Sequence, residues 1–197
     1  MDKDGIRKEL LARRAALSPE EWKLKSRAIQ ARLLNREEYR RAKTVHFYMG
    51  FKNEVETDEV IRKSLEAGKQ VVVPWLNDKT DQIELSELKD LRTELRENKY
   101  GIKEPYGPFI RPVDRRSVQL AVIPGVAFDP SGNRIGFGKG FYDKLFSQNR
   151  TALLIGLAFE FQIVKSIPSE EHDIKMNKIL TEYRTIEITQ KEIRSKI

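Results

Sequence analysis

Three glycines alternate around one lysine in Gly136-Phe137-Gly138-Lys139-Gly140, with Arg134 just upstream and Asp143 just beyond. Alternating glycines let a backbone bend tightly and approach a ligand without side-chain interference. A lysine and an arginine beside freed N–H groups make an anion site, most often for phosphate. The spacing is not that of the common phosphate loops. A Walker-type loop needs a glycine at position 133 and a hydroxyl at 140, where this chain has Asn133 and Gly140. The dinucleotide fingerprint fails as well, because the run is Gly-x-Gly-x-Gly and lies past mid-chain. On residue types alone, the segment is either an unusual anion-binding turn or a structural glycine-rich turn.

The elements that position this segment can be read from periodicity and caps. Ile6, Leu10, Leu11 and Ala15 mark one face of a first helix. Ser18-Pro19-Glu20-Glu21 is an N-cap, a proline at the first helical position and the Glu of a capping box, so a second helix follows, buries Trp22, Ile29 and Leu33 and ends near Asn35. Val45–Met49 predicts a short strand. Thr57 is placed to cap a third helix with Val60, Ile61 and Leu65 inward and Gly68 as its stop. Val71–Trp75, Leu120–Ile123 and Leu153–Ala158 are continuous apolar runs, as in strands covered on both faces. Asp129–Asn133 predicts a turn. Ile179–Thr181 and Tyr183–Ile188 supply a last strand, after which the polar end frays. Ile83–Asn98 stays ambiguous: leucines 85, 88, 91 and 95 suit a helix, while Asp81 and Gln82 suit a turn between edge strands. Strands alternating with helices give an α/β fold with a mainly parallel sheet, and no linker or repeat divides residues 1–197, which predicts a single domain.

Composition excludes several chemistries. Without a cysteine there is no disulfide, thiolate nucleophile or zinc–thiolate site. No apolar run approaches the ~20 residues of a membrane span, and the start Met1-Asp2-Lys3-Asp4 lacks the basic and apolar regions of a signal peptide. The expectation is a cytoplasmic protein with no membrane partner. Residues 1–43 carry thirteen Lys and Arg against seven Asp and Glu. Such an excess is either a solvated helical face or a grip on a small polyanion. It lacks the aromatic interleaving of single-strand binders and any helix-turn-helix cue, so no nucleic-acid partner is expected.

Pro124-Gly125-Val126-Ala127-Phe128-Asp129 followed by Gly132–Asp143 closely resembles the signature of the 5-formyltetrahydrofolate cyclo-ligase family, also called methenyltetrahydrofolate synthetases. Four further segments match in order: Lys3 with Arg7, Asn53–Thr57, Tyr100–Pro105, and His172-Asp173 with Thr181-Glu182. The resemblance implies a three-layer Rossmann-like domain with a mainly parallel sheet flanked by helices, similar to the NagB/RpiA/CoA-transferase-like fold. It implies ATP-dependent closure of 5-formyltetrahydrofolate to 5,10-methenyltetrahydrofolate with release of ADP and phosphate. ATP, Mg²⁺ and the folate are then the only ligands, and a monomer is expected.

The same resemblance implies residue roles. Lys3 and Arg7, one helical turn apart, would hold ATP phosphates. Arg134, Ile135, Gly136, Phe137, Gly138, Lys139, Gly140, Phe141 and Tyr142 would wrap the triphosphate, with Arg134 and Lys139 stabilising the transferring phosphoryl group. Glu54 would hold the folate near its reacting formyl and amine nitrogens. Met49, Tyr100, Phe137, Gly138, Lys139, Gly140 and Phe141 would contact the folate, and Asp143 and Asp173 would bind magnesium, a hard cation suited to oxygen ligands. Three positions depart from the family pattern: Tyr100 replaces a tryptophan found in some members, Phe141 the first tyrosine of a pair, and Asn177 an acid. Two rival readings remain: a sugar-phosphate isomerase or CoA-transferase-like enzyme on a similar sheet, and a non-catalytic basic module for nucleotides or RNA.

Overall fold

The computed structural model describes residues 2–147, 151–170 and 173–189; His172 lies outside them. The helices are α1 (Lys3–Ala15), α2 (Pro19–Leu34), α3 (Glu37–Arg41), α4 (Asp58–Glu66) and α5 (Phe141–Phe146). The strands are β1 (Thr44–His46), β2 (Gln70–Asn77), β3 (Gln82–Leu88), β4 (Leu95–Glu97), β5 (Lys103–Pro105), β6 (Leu120–Ile123), β7 (Ala127–Phe128), β8 (Arg134–Ile135), β9 (Leu153–Leu157), β10 (Lys178–Leu180) and β11 (Thr185–Glu187). Seven of these strands form one sheet in the order β11-β10-β9-β6-β1-β2-β3. Its centre, β10-β9-β6-β1-β2, is parallel throughout, and β3 and β11 close the edges antiparallel. The expected mainly parallel α/β sheet is what forms.

Side-chain alternation along the strands builds the layers. Val71, Val73, Leu120, Val122, Ile155, Leu157 and Leu180 pack on one face with Ile29, Leu33, Val60 and Ile61 from α2 and α4. Val72, Ala121, Ile123, Leu154 and Ile179 pack on the other with Leu145 and Phe146 of α5. Both faces are covered, which is why the strands read as unbroken apolar runs. A smaller core seats α1, through Ile6 and Leu10, on Val126, Ala127 and Ile135 of the β7–β8 hairpin. That docking carries the basic N-terminus across the molecule to the glycine loop.

Local chemistry sets the helix ends. Ser18 and Glu21 form a full capping box with Pro19 at the first position, and Gly68 closes α4 at φ +71°. Thr57 does sit at the N-cap of α4, but its hydroxyl donates to the Tyr48 carbonyl (2.8 Å) instead of capping the helix. Ile83–Asn98 is not a helix. Gln82–Leu88 pairs antiparallel with β2 along its whole length, after a turn in which Asp81 takes φ +51°, and Leu95–Glu97 pairs with β5. The ladder to β2 and the burial of Leu85 and Leu88 outweigh the helical spacing of the leucines. The last strand is two, β10 and β11, folded back on each other around residues 181–184.

Phe128, fully buried, lies between two glycines. A Cβ on Gly125 would come within 2.5 Å of its ring, and one on Gly156 within 2.6 Å. Gly156→Ala is therefore expected to destabilise the fold by roughly 1–3 kcal/mol through overpacking, read as a lower melting temperature. Gly50→Ala, where the added carbon meets only Val55 O at 3.8 Å, serves as the control; equal melting temperatures for the two variants would refute the packing argument.

Candidate active site

Parallel strands β1, β2 and β6 all run toward one edge of the sheet, and a cavity of about 680 Å³ opens beyond it. Open α/β sheets place ligands at the carboxyl ends of their strands for this topological reason. Met49 and Glu54 follow β1, Trp75 lies on β2, and Pro124 and Gly125 follow β6. The β4–β5 hairpin contributes Tyr100, the glycine loop contributes Arg134–Asp143, and α1 contributes Lys3 and Arg7. Asp173 completes the wall. Every site residue expected from the sequence lines this one cavity.

One end is cationic. Arg7 donates from Nε to the Gly136 carbonyl (3.0 Å) and pairs with Asp4. Lys3 Nζ lies 3.1 Å from Asp173 Oδ2 and 3.4 Å from Glu170 Oε1; burial works to lower its pKa, but the two carboxylates prevail and raise it. Arg134 donates from Nη2 to both oxygens of Asp143, each at 3.0 Å. A Cβ on Gly136 would sit 2.6 Å from the Arg134 guanidinium, so glycine lets the arginine keep this position without shifting. Gly138 and Gly140 both take positive φ, +98° and +61°, and Gly140 opens α5. Among the described residues, Lys139 stands apart from the ion pairs. Its Nζ sits 4.0 Å from the centroid of the Tyr100 ring and 5.6 Å from that of Phe141, a cation–π hold on the apolar wall.

The turn before Glu54 is strained and heavily braced. Lys52 and Asn53 are consecutive non-glycine residues at φ +47° and +55°, a conformation that costs on the order of 1 kcal/mol or more for each. Arg14 Nε donates to the Lys52 carbonyl (3.0 Å), Trp22 Nε1 to the Glu54 carbonyl (2.7 Å) and the Tyr48 hydroxyl to the Val55 carbonyl (2.7 Å). The Glu54 carboxylate accepts from the Phe51 N–H (3.1 Å) and is 6% exposed. Burial pushes its pKa up to about 7, with Arg14, the Phe51 N–H and Arg134 offsetting part of the rise. A carboxyl titrating near neutrality suits an acid–base role. Burial, with the nearby Glu54, also pushes the Tyr48 and Tyr142 hydroxyls upward.

Arg14 is the residue that sequence reading passed over. It is 1% exposed and also donates to the Gly125 carbonyl (3.4 Å), while its guanidinium lies 5.5 Å from the Phe137 ring centroid. Its signal was there: Arg14 falls on the helical stripe of Ile6 and Leu10, where a charge is out of place on an amphipathic helix. Phe51, Trp75, Asn98 and Glu104 also line the cavity unforeseen. Asn177 does not line it; its side chain accepts from the Leu154 N–H (2.8 Å) and braces the start of β9.

Known proteins similar to this chain point to one family. The sequence model of the 5-formyltetrahydrofolate cyclo-ligase family matches residues 1–182. The chain belongs to that family. The 5-formyltetrahydrofolate cyclo-ligase of Mus musculus is 30% identical over 190 residues, covering 91% of this chain and 93% of the mouse protein. The Haemophilus influenzae cyclo-ligase is 32% identical over 179 residues, covering 89% and 95%. The solved structure of Aquifex aeolicus 5,10-methenyltetrahydrofolate synthetase superposes with a TM-score of 0.84 at 30% identity, over 95% of this chain and 93% of that one. The Mycoplasma pneumoniae synthetase, at 24% identity and a TM-score of 0.75, shows the same fold. Among the described residues, no helix of this cyclo-ligase family member is long and apolar enough to cross a membrane.

The Glu54 carboxyl is expected to titrate with a midpoint near pH 7, measurable by carbon-detected NMR. In Arg14→Met the midpoint should rise by ~1 unit, because the largest opposing charge is gone. Because the folded pKa is raised, Glu54 favours folding below about pH 4.5, and that contribution is lost as pH rises toward 7. Glu54→Gln should abolish this decline in denaturation measurements. A midpoint at the ordinary carboxylate value would refute the burial argument.

Proposed function

We propose that this chain catalyses the ATP-dependent cyclisation of 5-formyltetrahydrofolate to 5,10-methenyltetrahydrofolate, with ADP and phosphate as the other products. Family membership makes ATP dependence the expectation, and residues 1–197 are taken as one catalytic domain acting as a monomer. The observation that carries the reading is a single cavity with a glycine-lined cationic end and a buried carboxyl of raised pKa beside an aromatic wall. One end suits a polyphosphate and the other a flat, neutral, protonatable reactant.

The chemistry follows from the poor leaving ability of an amide oxygen. The formyl oxygen attacks the γ-phosphorus of ATP, and ADP departs. The formyl carbon is then electrophilic, and the N10 amine adds to it, forming the new C–N bond. Phosphate leaves with the original formyl oxygen, and the N10 proton passes to a base. Little covalent work falls to the protein, so catalysis is positioning and charge stabilisation. Lys3 and Arg7 hold the triphosphate, and the N–H groups of residues 135–142 receive its oxygens. Arg134 and Lys139 offset charge on the phosphoryl group in transfer. Glu54 orients N10 and accepts its proton. Met49, Phe137, Phe141 and Tyr100 enclose the folate, with Lys139 placed where the two substrates meet.

Magnesium would fit here as an ion held by one or two carboxylates together with substrate phosphates, and not as one caged by protein. Among the described residues no group of three or more His, Asp or Glu could hold a metal. Asp143 and Asp173 do line the cationic end, and one or two carboxylates plus substrate phosphates is the usual magnesium arrangement. Bound there, the ion would neutralise phosphate charge, with Asp143 and Asp173 holding it.

A nucleic-acid role draws less support than the N-terminal charge suggested. Arg14 is buried, Lys25 pairs with Glu182 at 2.6 Å, and Arg36 pairs with Glu38 and Glu187. These cations are committed within the fold.

Incubation with 5-formyltetrahydrofolate, ATP and Mg²⁺ should give methenyl product by absorbance together with ADP. Neither product from folded protein would overturn the reading. Lys139→Ala is expected to lose roughly 100-fold or more in kcat while staying folded. With Glu54 as the base, kcat/KM should fall as pH drops below about 7, and the Glu54→Gln variant should lose that limb along with most of its activity.

A further inference from the structure

Glu104, on β5, lines the cavity, as do its hydrogen-bond partner Leu76 and Pro74, Trp75 and Ile102. Two donors from separate segments fix its carboxylate: the Leu76 N–H at 2.9 Å and Asn98 Nδ2 at 2.8 Å. Both bonds fall on Oε2. Oε1 accepts no hydrogen bond among the described residues, and it is not sealed from solvent. Among the described residues no cation is paired with Glu104, so the free oxygen, with its lone pairs, is offered to whatever fills the cavity. Asn98 is itself pinned, accepting from the Tyr100 and Ile102 N–H groups (2.9 and 3.1 Å). The carboxylate is thus pre-oriented on the same hairpin that carries Tyr100.

We propose that Glu104 is a specificity-determining residue that reads the donor edge of the substrate's pterin, the adjacent N3–H and 2-amino groups. This rests on the folate reading above. A fixed carboxylate oxygen in apolar surroundings selects a ligand edge rich in donors, because any acceptor set against it would be repelled and left unpaired. The 2-amino-4-oxopyrimidine edge presents two neighbouring donors. The adenine of ATP presents one amino group flanked by ring-nitrogen acceptors and matches poorly. The flat face of the pterin then lies against the Trp75 and Ile102 side of the cavity, and the N5-formyl group points back toward Glu54 and Lys139.

Equilibrium binding separates this contact from a structural role. The wild-type protein should bind 5-formyltetrahydrofolate roughly 10- to 100-fold more tightly than its 2-desamino analogue, as expected for charge-assisted hydrogen bonds. In Glu104→Leu the preference should collapse to within about twofold. Glu104→Gln keeps one acceptor oxygen and should fall between, and it decides the matter if the leucine variant does not fold. ATP affinity should be unchanged in both. The proposal is overturned by a wild-type protein indifferent to the 2-amino group, by variants that keep the full preference, or by a loss confined to ATP affinity, which would make adenine the occupant. A protein that discriminates the two folates but turns neither over would sink the cyclisation reading and leave this contact standing.

Discussion

A single buried guanidinium holds the site together. Taking an arginine out of water costs several kcal/mol unless its surroundings repay it, and Arg14 is 1% exposed with Nη2 lacking any hydrogen bond. What it touches explains its retention. It holds the carbonyl of the strained Lys52, approaches the Gly125 carbonyl at the end of β6, and lies beneath Phe137 of the glycine loop. Those three segments arrive from different parts of the chain and converge on this side chain. The charge also opposes the burial of Glu54, keeping that carboxyl near neutrality when burial alone would drive it higher. Geometry and proton affinity around Glu54 therefore depend on one side chain of α1.

The same helix explains why the charge-rich N-terminus is not merely a solvated face. Ile6 and Leu10 bury against the β7–β8 hairpin, and helical periodicity then brings Lys3, Arg7 and Arg14 out along one side of α1, Lys3 and Arg7 to the cavity and Arg14 to the Phe137 ring. Arg7 fastens to the Gly136 carbonyl, and Arg134 reaches from the hairpin to Asp143 at the start of α5. The loop is thus gripped at both ends while the glycines between keep their backbone freedom. A loop fastened this way offers N–H groups to phosphate oxygens with little reorganisation, the condition for strong electrostatic stabilisation.

Much of this was legible in the sequence because it is written in local rules. The Ser18–Glu21 capping box, the Gly68 stop and the apolar runs at 71–75, 120–123 and 153–158 each carry their structure within a few residues. The glycine loop was legible as chemistry before its partners were known. What could not be read depended on contacts distant in sequence. Thr57 was drawn from its capping role by the Tyr48 carbonyl, and Ile83–Asn98 took strand form because β2 offered a ladder. Arg14 looked like one basic residue among thirteen until the fold wrapped Lys52, Gly125 and Phe137 around it. Glu104 lay inside a recognised motif, yet its free oxygen appears only when Leu76 and Asn98 are seen to occupy the other.

Lys139 is the cation of the glycine loop that has no ion pair among the described residues. Lys3, Arg7 and Arg134 are each tied to a carboxylate or a carbonyl, whereas among the described residues Lys139 is held by the faces of Tyr100 and Phe141 alone. A cation–π contact of this kind is worth about 0.5–2 kcal/mol, depending on desolvation. That is small against the attraction of a lysine for a phosphate in a low-dielectric site. A ring entering between Tyr100 and Phe141 would compete for the surface on which the ammonium rests, just where a phosphate nearby offers it a stronger partner. The glycines on either side of Lys139 allow that shift without disturbing the bonds that fasten the loop. Under the proposed reading, folate and nucleotide would bear on one side chain from opposite directions, which would make the loop a junction between substrates and not a cradle for one.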